Sequence, residues 1–371
     1  MDDVEALARK LISIDSQSHV SNASVAEFVA DTLAPFADEV ERIEYTDPGG
    51  RHKISLVARV GNGRGGLALS GHMDTVPGLG WDSDPFEARV EDGKMYGLGA
   101  VDMKGAIAAT LVAARTYAGL GARGPLTLIY TTDEETDTQG ARRIVDESEL
   151  LRSIGPRHCI VAEPTNLRVV NGHKAAITFS ASSRGRAAHS SSGKGLNANI
   201  AMIPFIHEMG QLYEELVEDQ AYWDPDFDPP FPDWNITIDN HGAAANVTVP
   251  LSTCRVNFRY TRTLDPGPVM ARVQESAERA GLELESWSSG PPLYLPPDSE
   301  LVQLALEITG EQAPMSVPYR TDACILSEAV PCIVVGPGDL RQAHTVNEWV
   351  SVEQLHRSVD LYMKFIEAVC R

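Results

Sequence analysis

Apolar residues at Val4, Leu7, Ala8, Leu11 and Ile12 recur at three- and four-residue steps, which predicts a helix over residues 3–13. A second helix is expected from Ser24 to Leu33. The apolar runs then shorten: Ile54–Val60 and Gly66–Ser70 read as strands joined by the glycine-rich turn Gly61–Gly66. Trp81–Asp92 reads as loop, and Lys94–Gly99 leads into an alanine-dense helix from Asp102 to about Leu120. Leu126–Thr132 is a continuous strand of the kind covered on both faces, and Cys159–Ala162 is a shorter one. Strands alternating with helices predict an α/β domain with a mainly parallel sheet.

Beyond residue 175 the rhythm changes. Ala176–Ser183 alternates, Asn197–Leu216 is helical, and Asn246–Tyr260 reads as a long alternating strand. Met270–Ala280 is again helical and Leu282–Trp287 strand-like, while Tyr222–Trp234, rich in proline, aspartate and aromatics, reads as a long loop. This succession predicts a small α+β layer of ferredoxin-like type inserted into the first domain. Pro291–Pro297 is the expected return linker, followed by a helix at Glu300–Thr309, a strand at Cys332–Val335 and a terminal helix at Val352–Val369. The expected division is therefore 1–174 with 291–371 as one domain and 175–290 as the insert. There are no internal repeats or low-complexity tracts.

Composition narrows the function class. The 371 residues leave room for two cores, and 43% hydrophobic with 22% charged residues is ordinary for a globular chain. A balance of 31 basic against 52 acidic residues, −21 in all, argues against nucleic acid or an anionic membrane as partner. Cys159, Cys254, Cys324, Cys332 and Cys370 are odd in number, scattered and without C-x-x-C spacing, so they read as reduced thiols and not as a disulfide framework or a thiolate zinc site. Met1-Asp2-Asp3-Val4 is acidic and lacks a signal-peptide core, and no apolar run reaches membrane-spanning length. A cytoplasmic location is expected.

Candidate chemistry centres on Leu67–Pro77, where an apolar run ends in a small-residue step and His72 stands two positions before Asp74. On extended backbone both side chains share one side, which suits a metal-binding imidazole whose other ring nitrogen donates to a carboxylate. By itself the pair describes a solvated loop histidine better than a metal ligand. Four more stretches add to it. Asp102 stands at a helix start, where acidic residues are favoured in any case. Asp133-Glu134-Glu135 directly follows a buried strand, a costly crowding unless a cation or proton offsets it. Glu163 repeats the strand-end carboxylate, and Gln342-Ala343-His344-Thr345 supplies a late histidine after Gly336-Pro337-Gly338. Sheets of this class bind ligands beyond the carboxyl ends of their strands. Two imidazoles and three or four carboxylates without a thiolate suit divalent zinc, cobalt or manganese. One carboxylate can bridge two ions about 3.5 Å apart, and a glutamate left uncoordinated would serve as base.

Taken in order, these five motifs make the whole chain similar to the co-catalytic metallopeptidases and deacylases, the family of acetylornithine deacetylase, succinyl-diaminopimelate desuccinylase, glutamate carboxypeptidase and aminoacylase. The resemblance implies a zinc-peptidase-like catalytic domain, a mixed, mainly parallel sheet with helices on both faces, carrying an inserted lid and dimerisation domain. It implies two divalent metal ions, zinc first with cobalt or manganese as alternatives. His72 and Glu163 would be the terminal ligands of one ion, Asp102 the bridge, and Glu135 with His344 the pair on the other. Glu134 would be the general acid/base and Asp74 the orienter of His72, with a cis peptide after Asp102. Arg184-Gly185-Arg186-Ala187-Ala188-His189-Ser190 resembles the motif whose histidine reaches across a homodimer and steadies the oxyanion. Asn246 and Arg259 resemble the substrate-binding asparagine and the arginine that grips a carboxylate with two parallel hydrogen bonds.

The implied reaction is hydrolysis of an amide in a small N-acyl amino acid. Gly336–His344 resembles the G-P-G-x-x-x-Q-A-H form of acetylornithine deacetylases, so the expected activity releases ornithine and acetate, a step of amino-acid biosynthesis. A desuccinylase or carboxypeptidase of the same family, and a metal- or peptide-binding homologue without turnover, are the alternatives. Tyr319-Arg320-Thr321-Asp322-Ala323 departs from the family, since many relatives have a small residue where Arg320 stands; an arginine there points to the substrate's carboxylate or acyl tail.

Overall fold

The computed structural model describes residues 4–371, so the expectation for Met1–Asp3 lies outside the described residues. The chain divides into two compact units: one runs to Gly172 and takes in Leu293–Met315 and Thr321–Arg371, and the other comprises His173–Pro292 with Ser316–Arg320.

In the first unit a mixed sheet runs in the order Glu39–Thr46, His52–Val60, Leu126–Thr131, Leu67–His72, His158–Val161, Cys332–Val334, Val170–His173, Leu293–Tyr294. The four middle strands, from Leu126–Thr131 to Cys332–Val334, are mutually parallel. Their residues alternate between two buried faces. Leu67, Leu69, Leu126, Leu128 and Tyr130 join the large core beneath the helices Val4–Ile12, Gly105–Gly119 and Val352–Val369. On the other face Gln139–Glu147 packs on His52–Val60 and Leu126–Thr131, with Ala141 against Cys324 and Ile325. Helices on both faces explain why these strands are apolar throughout.

Several elements here were not expected from the sequence, among them the strand Val170–His173 and the helices Glu149–Ile154 and Ala323–Leu326. Glu39–Thr46 is an edge strand that buries only Ile43 and Tyr45, and its charged positions hide it. Gln139–Glu147 is mostly polar, burying only Gly140, Ala141 and Ile144. A three-stranded ribbon joins Trp349–Ser351 to Lys94–Tyr96 and Arg89–Glu91, the last inside the expected loop. The alanine-dense helix also begins later than its pattern suggests, at Gly105, because Asp102 (φ −127°, ψ 89°) and Met103 (φ −136°, ψ 35°) are not helical. The peptide between those two residues is cis, in line with the family resemblance.

The second unit is a four-stranded antiparallel sheet ordered Asp233–Asp239, Leu251–Tyr260, Ala175–Arg184, Glu283–Ser288. Helices Ala198–Glu218 and Pro266–Ala280 bury Met202, Phe205, Met209, Val269 and Val273 against Phe179, Val256 and Phe258. Strand–helix–strand–strand–helix–strand in this spatial order is the ferredoxin-like arrangement. Pro266 occupies the first helical turn and Asp265 caps it by accepting from Gly267 N–H, which moves the helix start ahead of the predicted Met270. The long strand begins at Leu251, so Asn246 lies in the preceding turn and not on the strand. Trp234 leaves the predicted loop to seat its ring 5.4 Å from Phe179 and 5.0 Å from Phe258, centroid to centroid. Among the described residues no helix is long and apolar enough to cross a membrane, and all five cysteines are buried with free thiols.

Candidate active site

Three neighbouring parallel strands deliver the core of the site. His72 ends Leu67–His72, Glu134 and Glu135 follow Leu126–Thr131, and Glu163 follows His158–Val161. Register pairing of His72 with Thr131 and of Ser70 with Val161 brings these strand ends level. Asp102 comes from the irregular turn before Gly105–Gly119, and His344 from the loop after Cys332–Val334. That loop crosses close to the Glu163 strand end. A Cβ at Gly336 would meet Ala162 O at 2.1 Å, so only glycine fits.

Five side chains form two donor groups sharing one member: His72, Asp102 and Glu163 in the first, Asp102, Glu135 and His344 in the second. His72 Nε2 lies 2.9 Å from Asp102 Oδ1 and 3.5 Å from Glu163 Oε1. His344 Nε2 lies 3.3 Å from Asp102 Oδ2 and 3.0 Å from Glu135 Oε2. Nδ1 of His72 lies 2.9 Å from the main-chain oxygen of Asp74 and 3.6 Å from its carboxylate. Donation to that oxygen orients the ring so that Nε2 faces Asp102 and Glu163, where it could ligate a metal. Asp74 thus orients His72 chiefly through its backbone. Its carboxylate turns elsewhere, accepting Glu134 N–H on Oδ1 and Glu135 N–H on Oδ2, each at 3.2 Å.

The electrostatics favour added positive charge. Burial, with Asp102 close by, pushes Glu163 well above the usual carboxylate range and Glu135 up to about 7; Glu134 adds to both shifts. Burial acts the same way on Asp102, yet His344 and His72 hold it below the ordinary value. Hydrogen bonds to Asp102 and Glu135 push His344 up to about 11. Burial lowers His72, but Glu163, Asp102 and Asp74 outweigh it and hold the imidazole well above its usual range. A cluster that draws in protons in this way, buried apart from the exposed His344, fits divalent cations, and its oxygen and imidazole donors suit zinc, cobalt or manganese.

Sequence reasoning missed Glu348. It is 1% exposed, and its carboxylate accepts N–H groups from Gly99 (3.0 Å), Val101 (2.8 Å) and Asp102 (3.0 Å). Those donors have no helical partners because the helix has not yet begun. Burial and the neighbouring Asp102 push Glu348 up to about 8. A carboxylate four residues after His344 was the available signal, but nothing in its spacing pointed to residues 99–102.

The remaining candidates belong to the second unit. His189 and Asn246 are adjacent and exposed, with Ser190 N–H donating to Asn246 O at 2.9 Å. Ser191 N–H lies 3.3 Å from His189 Nδ1, which makes that nitrogen the acceptor and places the proton of the neutral ring on Nε2. Arg259 donates from Nη1 to Pro318 O at 3.0 Å, two residues before the half-buried Arg320.

Residues 68–368 match peptidase family M20/M25/M40, and the chain belongs to that family. It is a hydrolase acting on amide bonds. It is 32% identical over 375 residues to the acetylornithine deacetylase of Pasteurella multocida (strain Pm70), covering 96% of this chain and 94% of that protein. The fold is similar to that of the M20 family metallo-carboxypeptidase Sso-CP2 from Sulfolobus solfataricus, at TM-score 0.79 and 16% identity over 99% of each chain. It is also similar to that of a dinuclear metal binding peptidase of the M20 family from Bacillus subtilis, at TM-score 0.67 and 14% identity over 99% of this chain and 97% of that one.

Proposed function

We propose that this chain is a two-metal deacylase that removes the acyl group of an N-acyl amino acid, with N-acetylornithine as the favoured substrate. The observation that carries this reading is the pair of donor groups sharing Asp102, with the buried Glu134 beside them and outside both. The relative from Pasteurella multocida supports the substrate, and the dinuclear peptidase from Bacillus subtilis supports the ion count. His72 and Glu163 would hold one ion and Glu135 and His344 the other, with Asp102 a ligand available to both. Zinc is the ion we assign, with cobalt or manganese suited to the same donors. When bound, such a pair lowers the pKa of water and polarises the scissile carbonyl.

Glu134 takes a proton from the attacking water and returns it to the leaving amine. His189, with its proton on Nε2, donates to the oxyanion of the tetrahedral intermediate. Asn246 and Arg259 hold the substrate, Arg259 gripping its free carboxylate, and Arg320 reaches the carboxylate or the acyl tail. The buried free thiols fit a reducing cytoplasm.

The test is amine release by zinc- or cobalt-loaded protein from N-acetylornithine, N-succinyl-diaminopimelate, N-acetylcitrulline and a peptide ending in glutamate. We expect kcat/KM for N-acetylornithine to exceed the others by about tenfold or more. An equal or better rate on another member of the panel transfers the assignment to that substrate.

A homodimer formed through the insert completes the reading. Leu196, Ile200 and Ile203 are 59%, 68% and 59% exposed at the start of helix Ala198–Glu218, and Ile238 lies on the open edge strand Asp233–Asp239. Exposed apolar residues beside an unpaired strand edge suit a second copy of the same chain. His189→Ala subunits mixed with subunits lacking a metal site should recover partial activity, because a heterodimer pairs one intact metal site with one intact histidine. Heterodimers that form and stay inactive would exclude sharing.

A further inference from the structure

Behind Glu134 and Glu135 lies a buried polar cluster that no step above uses. Asp133 is 4% exposed and its backbone sits at φ 61°, in the left-handed region. Aspartate tolerates that region better than most residues, but a non-glycine residue stays there only where its surroundings hold it. Both carboxylate oxygens are held. Lys53 Nζ lies 2.7 Å from Oδ1, and Tyr45 donates its hydroxyl to Oδ2 at 2.6 Å. The Asp133 carbonyl accepts N–H groups from Asp137 (3.1 Å) and Thr138 (2.8 Å), closing the turn that carries both glutamates.

The same lysine reaches the front of that turn by another route. Its ammonium donates to Ser18 O at 2.8 Å, and the Ser18 hydroxyl is shared between Thr75 O at 2.9 Å and Asp74 Oδ2 at 3.2 Å. Asp74 in turn receives Glu134 and Glu135 N–H. Lys53 therefore anchors the turn from behind, through Asp133, and from in front it holds the Ser18 backbone, whose hydroxyl contacts Asp74 and Thr75. Stability does not account for such a pair, because apolar residues of similar volume commonly replace a buried ion pair without loss. Lys53 is fully buried in the strand His52–Val60, on the face opposite Ile54 and Leu56.

We propose that Lys53 is a positioning residue for the proton carrier: with Tyr45, and through Asp133 and Ser18, it fixes the turn that aims the Glu134 carboxylate. The inference rests on the role given to Glu134 above. A carboxylate displaced by an ångström loses its alignment with water and leaving amine while the substrate contacts stay in place. The effect therefore falls on kcat and spares KM.

Lys53→Met leaves the buried Asp133 charge with Tyr45 but without its cation and is open to misfolding. The informative variants are Tyr45→Phe and the neutral pair Lys53→Met/Asp133→Asn, whose asparagine also accepts φ near 61°. Each is loaded with metal, checked for ion content, and assayed well below its melting temperature. We expect the neutral pair to lower kcat about 100-fold and Tyr45→Phe about tenfold, with KM within about twofold of the parent. Amide exchange of the segment 133–138 should quicken while the rest of the sheet stays protected. A purely structural pair would lower the melting temperature and leave both kcat and that exchange unchanged, which would overturn the inference. Glu134→Gln run alongside separates the two layers. If Glu134→Gln is inactive while both folded variants keep parent kcat, the positioning role fails alone; if Glu134→Gln is active, the proton-carrier role fails and this inference with it.

Discussion

Glu134→Gln is expected to retain both metal ions and to lose about three orders of magnitude or more in kcat, the range set by removing a general base. The expectation follows from where the side chain sits. Glu134 lies in the turn just beyond the fully buried strand Leu126–Thr131, after Thr132 and Asp133, is 6% exposed, and has its N–H fixed on Asp74. It belongs to neither donor group, so an amide of the same shape leaves the ligand sets intact. Glutamine cannot accept a proton from water or deliver one to the leaving amine. The measurement is kcat beside metal content on the same preparation. A variant that turns over within tenfold of the parent with both ions bound would remove Glu134 from the mechanism.

Asp102→Ala should abolish activity by a different route, emptying both sites at once. Asp102 is the member shared by the two donor groups, with Oδ1 toward His72 and Oδ2 toward His344. His344→Ala or Glu163→Ala removes one ligand from one group and should leave the other ion in place. Elemental analysis of dialysed protein distinguishes the cases. We expect about two ions per chain for the parent, about one for each terminal-ligand variant and well under one for Asp102→Ala. Two ions held by folded Asp102→Ala would show that the residue does not bridge. Emptying the sites also leaves Glu163 and Glu135, both raised by burial, without a compensating cation, so the variant should melt at lower temperature than the parent.

Much of the site was legible because its chemistry lies at strand ends. An apolar run followed by a histidine or carboxylate marks His72, Glu134, Glu135 and Glu163, and the parallel order of the strands brings them together. Long helices with a clear apolar stripe were equally legible: Glu300–Thr309 and Val352–Val369 fall where their periodicity places them. Legibility ended where structure rests on polar groups. Glu39–Thr46 pairs through its backbone and shows few apolar positions, so its pattern resembles a loop. Asn246 appeared to extend a strand because local alternation does not register a turn fixed by contacts of its backbone with Ser190. Glu348 and Lys53 were silent for a related reason. Each acts on main-chain or side-chain groups brought near only by the fold, and Lys53 stands just ahead of the predicted strand Ile54–Val60 with no local clue to Asp133 as its partner.

The ribbon that ties Trp349–Ser351 to Lys94–Tyr96, together with the grip of Glu348 on residues 99–102, also orders events during synthesis. The strands bearing His72, Glu134 and Glu163 leave the ribosome long before His344 and Glu348 do. Any nascent chain or released fragment ending short of them lacks one member of the second donor group and the carboxylate that accepts N–H groups from Gly99, Val101 and Asp102. With the metal roles proposed above, a copy cut short of residue 344 is expected to be inactive toward amide bonds, and an assay of such a truncated chain checks this.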